Sequence, residues 1–109
     1  MARSVEDEIK KEIAEHPVLI YMKGTKEMPQ CGFSAAAVQV LNSYGIDIKD
    51  VNVLADPEKW AAVKSYSQWP TIPQIYIGGR FVGGCDIIRE MHAKGEIAPL
   101  IQQAFGAKH

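Results

Sequence analysis

The chain has 109 residues, which is long enough for one domain over residues 1–109 and too short for two independent hydrophobic cores. Hydrophobic residues make up 47% of the chain and charged residues 23%, a composition typical of a folded globular domain and not of a disordered segment. Twelve basic and thirteen acidic side chains leave a net charge of -1, which argues against binding to nucleic acid or to an anionic membrane.

Helical and strand patterns alternate along the first half of the chain. Ser4 is placed to cap a helix whose apolar residues recur every fourth position. The short apolar run Val18–Met22 predicts a strand that is buried on both faces. A loop from Gly24 to Gln30 follows, and a second helical stripe begins at Gly32, with Gly45 placed to end it.

The second half of the chain predicts three strands and three helices. Residues 48–53 indicate a second, more polar strand near a sheet edge, and the run Asp-Pro-Glu at 56–58 starts a short helix that reaches Ser65. Residues 74–82 predict a hairpin around a Gly-Gly turn. Two last helices are expected at about 86–93 and 97–105. This order predicts an α/β fold with a mixed sheet and helices on both of its faces.

The location of the protein is predicted from what the chain lacks. No stretch approaches the ~18 consecutive apolar residues that span a bilayer. The amino terminus mixes acidic and basic residues, unlike a secretory signal or a transit peptide. Two cysteines are too few to staple a small secreted scaffold. We therefore expect a cytoplasmic protein, although a chain trimmed after import into an organelle would look the same.

Cys31 is the strongest candidate for chemistry, because it lies immediately before a predicted helix. The unpaired N–H groups and the dipole at a helix amino terminus favour the thiolate and lower the pKa of the thiol. Lys23, at the end of the first strand, is placed to add a positive charge. Such a thiolate is both a nucleophile and a soft metal ligand. The alternative is a small buried core residue, and a loop-to-helix junction after Pro29 disfavours it.

Ser34 stands three residues after Cys31, where redox sites with two cysteines have their second thiol. A hydroxyl cannot form a disulfide. Cys31 must then take a second thiol from solution, from Cys85 or from another chain, or else bind metal. Ser34 also suits the first turn of the helix, where its hydroxyl is expected to bond the local backbone.

Four motifs in one order carry a family resemblance. They are Met22-Lys-Gly24, Cys31-Gly-Phe-Ser34, Trp69-Pro-Thr-Ile-Pro73 and Gly83-Gly-Cys-Asp-Ile87. The chain resembles the CGFS-type monothiol glutaredoxins, roughly from Ser4 to Phe105. The resemblance implies a thioredoxin-like (glutaredoxin) fold with a four-stranded mixed sheet flanked by about five helices. It also implies glutathione binding and a homodimer that bridges one [2Fe-2S] cluster, to which each chain and each glutathione gives one thiolate.

The resemblance also assigns roles to individual residues. It implies a cofactor-binding site made of Lys23, Cys31, Phe33, Lys64, Ile72, Pro73, Cys85 and Asp86, with Cys31 as the catalytic residue and the metal ligand. Lys23 looks like the partner of a glutathione carboxylate. Pro73 resembles a cis proline that exposes the backbone of Ile72 for pairing with an extended peptide. The amide of Cys85 and the carboxylate of Asp86 look like the pair that holds the γ-glutamyl group, with a helix cap as the alternative role of Asp86.

Several assignments keep an alternative. Many family members have a glutathione-contacting Arg where this chain has Trp60, which is then a packing residue or an aromatic wall for the ligand. Either Lys59 or Lys64 supplies the positive charge that the missing Arg would carry, and we assign this role to Lys64. Cys85 either offers only its backbone to the ligand or acts as a slow resolving thiol for Cys31. We favour the first role. The three histidines match no metal-ligand spacing, so surface or packing roles are expected for them: His16, His92 and His109.

Three functions are compatible with these residues. The first is an iron–sulfur carrier, for which the resemblance implies glutathione, BolA-type proteins and cluster-accepting proteins as partners. The second is a glutathione-dependent thiol oxidoreductase that acts by a monothiol route. The third is a redox-inert module that binds partner proteins in its groove. We favour the first, with the second as a weak side activity.

Overall fold

The computed structural model describes residues 3–106 and contains the predicted elements in the predicted order. The helices are α1 (Val5–Glu15), α2 (Gly32–Asn42), α3 (Pro57–Ser67), α4 (Cys85–Ala93) and α5 (Ile97–Gly106). The strands are β1 (Val18–Met22), β2 (Lys49–Asn52), β3 (Gln74–Ile77) and β4 (Arg80–Gly83). His109 lies outside the described residues. No helix within residues 3–106 is long and apolar enough to cross a membrane.

The four strands form one mixed sheet in the order β2-β1-β3-β4. The β1–β2 pair is parallel, and the β1–β3 and β3–β4 pairs are antiparallel. Both the mixed sheet and the edge position of β2 are therefore confirmed. The strand β2 is shorter than the predicted 48–53, because the side chain of Asn52 accepts a hydrogen bond from Leu54 N and a single 3-10 turn begins at Val53. The helix α3 runs two residues past the predicted Ser65.

The sheet buries a layer of apolar side chains on each face, which confirms helices on both sides. Along β1, alternate residues point to opposite faces. Val18, Ile20 and Met22 pack in the layer formed with α2, α4 and α5. Leu19 and Tyr21 pack in the layer formed with α1 and α3. Each of these five side chains is buried, so β1 is the central strand around which both layers are built.

The loop between β1 and α2 is held in place at Gly24. Its backbone φ is +87°, a left-handed conformation that favours glycine. A Cβ atom added there would lie 2.6 Å from both Met28 O and Gln30 N. The Gly24 amide donates to Asn52 Oδ1 at 2.9 Å, and Gln30 N donates to Lys23 O at 2.9 Å. The loop therefore returns the chain to Cys31 along a fixed path.

We expect Gly24→Ala to lower the free energy of unfolding by about 2–3 kcal/mol, because the new Cβ meets backbone atoms that cannot move away. Gly45→Ala is the matched control, since Gly45 has a φ of +64° and nothing within 4 Å of an added Cβ. Its cost is limited to backbone strain of about 1 kcal/mol. Urea unfolding of both variants measures the difference, and equal losses would contradict this account of the loop.

Candidate functional site

Cys31 occupies the N-cap position of α2, with an extended backbone conformation and a partly exposed side chain. The backbone amide of Ser34 lowers the pKa of the Cys31 thiol below its ordinary value. The amide of Phe33, the charge of Lys23 and the hydroxyl of Ser34 act in the same direction, whereas partial burial opposes them. The backbone amides of α2 therefore contribute most to stabilising the predicted thiolate, and the positive charge of Lys23 contributes less.

Ser34 is fully buried, at 0% exposure, and its hydroxyl does more than fill the first turn of α2. Its Oγ accepts a hydrogen bond of 3.2 Å from the backbone N–H of Lys23, at the end of β1. The predicted bond to the local backbone is wrong, because α2 packs against the end of β1 and brings a distant N–H within reach. Ser34 thus joins the helix that carries Cys31 to the strand that carries Lys23.

Cys85 differs from Cys31 in burial and in ionisation. It is the first residue of α4 and is only 6% exposed, and both cysteines are free. Burial raises the pKa of the Cys85 thiol, so this sulfur is held as the neutral thiol. Among residues 3–106, no group of three or more His, Cys, Asp and Glu side chains is arranged to hold a metal ion.

A cavity of about 420 Å³ gathers the other predicted site residues. Its walls include Lys23, Phe33, Lys64, Ile72, Pro73, Cys85 and Asp86. Cys31 is not one of its wall residues, but it lies two residues before Phe33 and close enough to Lys23 for the lysine charge to act on its thiol. The Ile72–Pro73 peptide bond is cis, as the resemblance implies. Within the described part of the chain, the backbone N–H and C=O of Ile72 take no hydrogen bond. Ile72 is only 7% exposed but lines the cavity, which is where an extended ligand would pair with it.

Two ammonium groups lie over the ring of Trp60 at one wall of this cavity. Lys23 Nζ is 5.3 Å and Lys64 Nζ is 5.5 Å from the ring centroid, both within cation–π range. Trp60 therefore serves as packing residue and aromatic wall together, since it also contacts the layer formed with α1 and α3. Lys59 is excluded as the source of the lost charge: it is 4% exposed, and its Nζ lies 2.7 Å from Glu12 Oε2.

The opposite wall is formed by the start of α4. Gly84 takes the N-cap position, so the alternative role of Asp86 as a helix cap is wrong. Asp86 instead lies exposed in the first turn and lines the cavity. A side chain at Gly84 would crowd this wall, because an added Cβ would lie 3.2 Å from Pro73 O and 3.3 Å from Trp69 Nε1. Phe33, which is 63% exposed, stands at the rim next to Cys31.

Some sequence candidates lie outside the site. His92 Nδ1 is 2.6 Å from the hydroxyl of Tyr44, which confirms a packing role between α4 and the turn after α2. His16 lines a larger cavity of about 590 Å³ between the end of α1, the β3–β4 turn and α5. None of the predicted site residues lines that cavity, so we take the smaller cavity as the candidate ligand site. Trp69, by contrast, lines the smaller cavity, and its ring packs on that of Phe81 with 5.6 Å between the ring centroids.

Comparison with known proteins places this geometry in a family. Residues 18–82 match the profile of the family described as glutaredoxin, which is more than half of the chain. This chain belongs to the glutaredoxin family. The matched region runs from β1 to β4 and includes Cys31, the cis Pro73 and most of the cavity wall, so the resemblance drawn from the four motifs is confirmed.

Individual relatives place this glutaredoxin with the monothiol members. It is 48% identical over 103 residues to the mitochondrial monothiol glutaredoxin-S15 of Arabidopsis thaliana, covering 94% of this chain and 61% of the plant protein. Glutaredoxin 4 of Escherichia coli strain K12 is 45% identical over 97 residues, covering 89% of this chain and 84% of the bacterial protein. The solution structure of reduced apo GrxS14 from poplar superposes with a TM-score of 0.83 at 41% identity, covering 94% of both chains.

We expect Cys31 to react with iodoacetamide at a lower pH than the same residue in the urea-unfolded chain. Because the pKa of its thiol is lowered in the folded state, the thiolate persists as the pH falls and the rate profile shifts to lower pH. Lys23→Met should move the profile part of the way back, since the Ser34 amide remains. Cys85 should react slowly in the same sample. Peptide mass spectrometry measures both rates, and identical folded and unfolded profiles for Cys31 would contradict the assignment.

Proposed function

We propose that this monothiol glutaredoxin binds glutathione beside Cys31 and carries a [2Fe-2S] cluster, held between two copies of the chain, to acceptor proteins. The observation that carries the proposal is the single accessible thiol of low pKa, followed three residues later by a buried hydroxyl. A second thiol at Ser34 would compete by closing a disulfide with Cys31. Its absence leaves Cys31 available as a ligand.

The number of thiolates supports a shared cluster. A [2Fe-2S] cluster is commonly held by four thiolates. One chain offers one, because Cys85 is buried and its pKa is raised, so two chains still leave two ligands to be supplied. Two glutathione molecules complete the set with their cysteinyl sulfurs. Because glutathione exchanges with solution, such a cluster is labile, which suits transfer rather than permanent storage.

The charges around the cavity suit glutathione, a tripeptide with carboxylates at both ends and an ammonium group at one. The Lys23 and Lys64 ammonium groups form a positive wall for the glycyl carboxylate. On the other side, Asp86 offers a carboxylate for the γ-glutamyl ammonium, and the Cys85 amide at the start of α4 suits the γ-glutamyl carboxylate. The open backbone of Ile72, between these walls, suits the cysteinyl residue.

Partners and location belong to the same proposal. BolA-type proteins and cluster-accepting apoproteins are the proposed recipients, and the cytoplasm stays the location that the sequence predicts. The exposed side chains of Phe33 and Met28, on the two sides of Cys31 in the sequence, give such partners an apolar surface beside the thiol.

We expect anaerobic reconstitution with iron, sulfide and glutathione to give a coloured dimer containing two irons and two glutathiones. Removal of glutathione should bleach it to a monomer. Cys31→Ser should abolish the colour because the only available protein ligand is lost, whereas Cys85→Ser should retain it. Absorption spectra and native mass spectrometry measure colour and stoichiometry together. A colourless wild-type protein after reconstitution would contradict the carrier function.

A second function is favoured by the open Ile72 backbone next to a nucleophilic thiolate. In a monothiol route, the Cys31 sulfur attacks the glutathione sulfur of a mixed disulfide, and the substrate thiolate leaves and takes a proton. Free glutathione then attacks the Cys31–glutathione disulfide, which restores the thiolate and gives oxidised glutathione. A colourless monomer with rapid deglutathionylation would favour this activity over the carrier. Tight partner capture without colour or turnover would favour the redox-inert module.

We expect Lys64→Met to weaken glutathione binding about fivefold, the effect of losing an ion pair worth ~1 kcal/mol at a partly exposed site. Lys94→Met is the matched control, because Lys94 is exposed at the end of α4 and pairs with Glu90 at 2.9 Å. Calorimetric titration at low salt measures both affinities. Equal affinities for the two variants would remove Lys64 from the site.

A further inference from the structure

Three hydrogen bonds fix the backbone on both sides of Lys23. The N–H of Lys23 donates to Ser34 Oγ at 3.2 Å, and the carbonyl of Lys23 accepts from Gln30 N at 2.9 Å. The third bond runs from Gly24 N to Asn52 Oδ1 at 2.9 Å, across 28 residues of sequence. Because Gly24 N and Lys23 O belong to the same peptide unit, the last two bonds set the plane of that unit.

Asn52 accepts two N–H groups with one side-chain oxygen. It is the last residue of β2 and pairs with Met22, the last residue of β1. Its Oδ1 accepts from Leu54 N at 3.0 Å, which caps the 3-10 turn, and from Gly24 N, which anchors the loop after β1. The first bond is local and the second is distant, so they serve different purposes.

We propose that Asn52 is a positioning residue that holds the Lys23–Gly24 peptide so that the Lys23 ammonium lies over Trp60 at the wall of the ligand cavity. Asn52 is not among the residues that line the cavity, so its effect on the site passes through the peptide unit that it holds. The inference deepens the proposed function and rests on it only where it concerns glutathione, because the placement of Lys23 over Trp60 is a property of the free chain.

A second tether of the same loop provides a control. Asp50 Oδ2 accepts from Lys26 N at 2.8 Å, two residues farther from the site than Gly24. Lys26 also binds the β2 edge, because its Nζ donates to Ile48 O at 2.8 Å. If the loop needed only a general attachment to β2, loss of the Asp50 bond would disturb Lys23 as much as loss of the Asn52 bond.

The two roles of Asn52 can be separated by substitution. A serine hydroxyl is able to cap an N–H two residues ahead, but it is too short to reach across to the loop, so Asn52→Ser keeps the bond to Leu54 and loses the bond to Gly24. Both native bonds use the oxygen, so Asn52→Asp keeps the two of them. Asp50→Ser removes the second tether with the same replacement residue.

The first test uses the free protein and NMR. Because both ammonium groups lie over the ring of Trp60, we expect the ring current to shift the ε-methylene proton resonances of Lys23 and Lys64 away from their random-coil values. We expect Asn52→Ser to remove at least about half of this displacement for Lys23 and to leave that of Lys64 as in the wild type. Asn52→Asp and Asp50→Ser should keep both displacements. An unchanged Lys23 in Asn52→Ser, an equal change of both lysines, or the same change in Asp50→Ser would overturn the inference.

The second test measures the affinity of S-methylglutathione, a thioether that forms neither a disulfide nor a thiolate ligand. We expect Asn52→Ser to weaken binding about threefold to tenfold, and to weaken it no further when Lys23→Met is already present. If the double variant lost affinity by the product of the two single effects, the two residues would act independently, and action through Lys23 would be contradicted. If the wild-type protein did not bind this ligand at all, the proposed glutathione site would fail, and the NMR comparison would still decide the role of Asn52.

Discussion

The site depends on backbone amides that have no helical partner at the start of α2. Because Cys31 occupies the N-cap, the N–H groups of Phe33 and Ser34 lower the pKa of its thiol and favour the negative form of the sulfur, although the side chain makes no capping hydrogen bond. Both glutathione chemistry and metal ligation require an ionised sulfur. The loop, the cavity and the lysines add to an effect that the helix end already supplies.

The rest of the fold brings separate chain segments to that helix end. Lys23 arrives from the end of β1, and the hydroxyl of Ser34 joins that strand to α2. Ile72 and Pro73 arrive from the segment before β3, and Gly84 lets α4 begin close to the carbonyl of Pro73. Each segment comes from a different part of the sequence, so the cavity exists only once the central sheet is formed.

The sequence pattern alone predicts the architecture and identifies Cys31 as the chemical centre. Periodicity predicted each helix and strand to within a few residues, and the position of Cys31 before a helix predicted its lowered pKa. The failures involve partners distant in sequence. The sequence predicts a local hydrogen bond for Ser34, leaves Lys59 as an alternative to Lys64 for the positive charge at the site, and gives no sign of a role for Asn52. No local signal shows that Lys59 meets Glu12, or that Asn52 meets Gly24, because strand pairing and helix packing create those contacts.

The attachment of the loop to β2 also affects how one molecule meets another. An uncovered sheet edge is a template for pairing with a further chain, and natural proteins restrict this with short strands, lysines and bulges. At one edge, the ammonium of Lys26 donates a hydrogen bond to the carbonyl of Ile48, next to β2. At the other edge, β4 is only four residues long, and its register with β3 is irregular beside Ile75. Both edges are thus poor templates for a further strand, which disfavours permanent association of two molecules through their sheets.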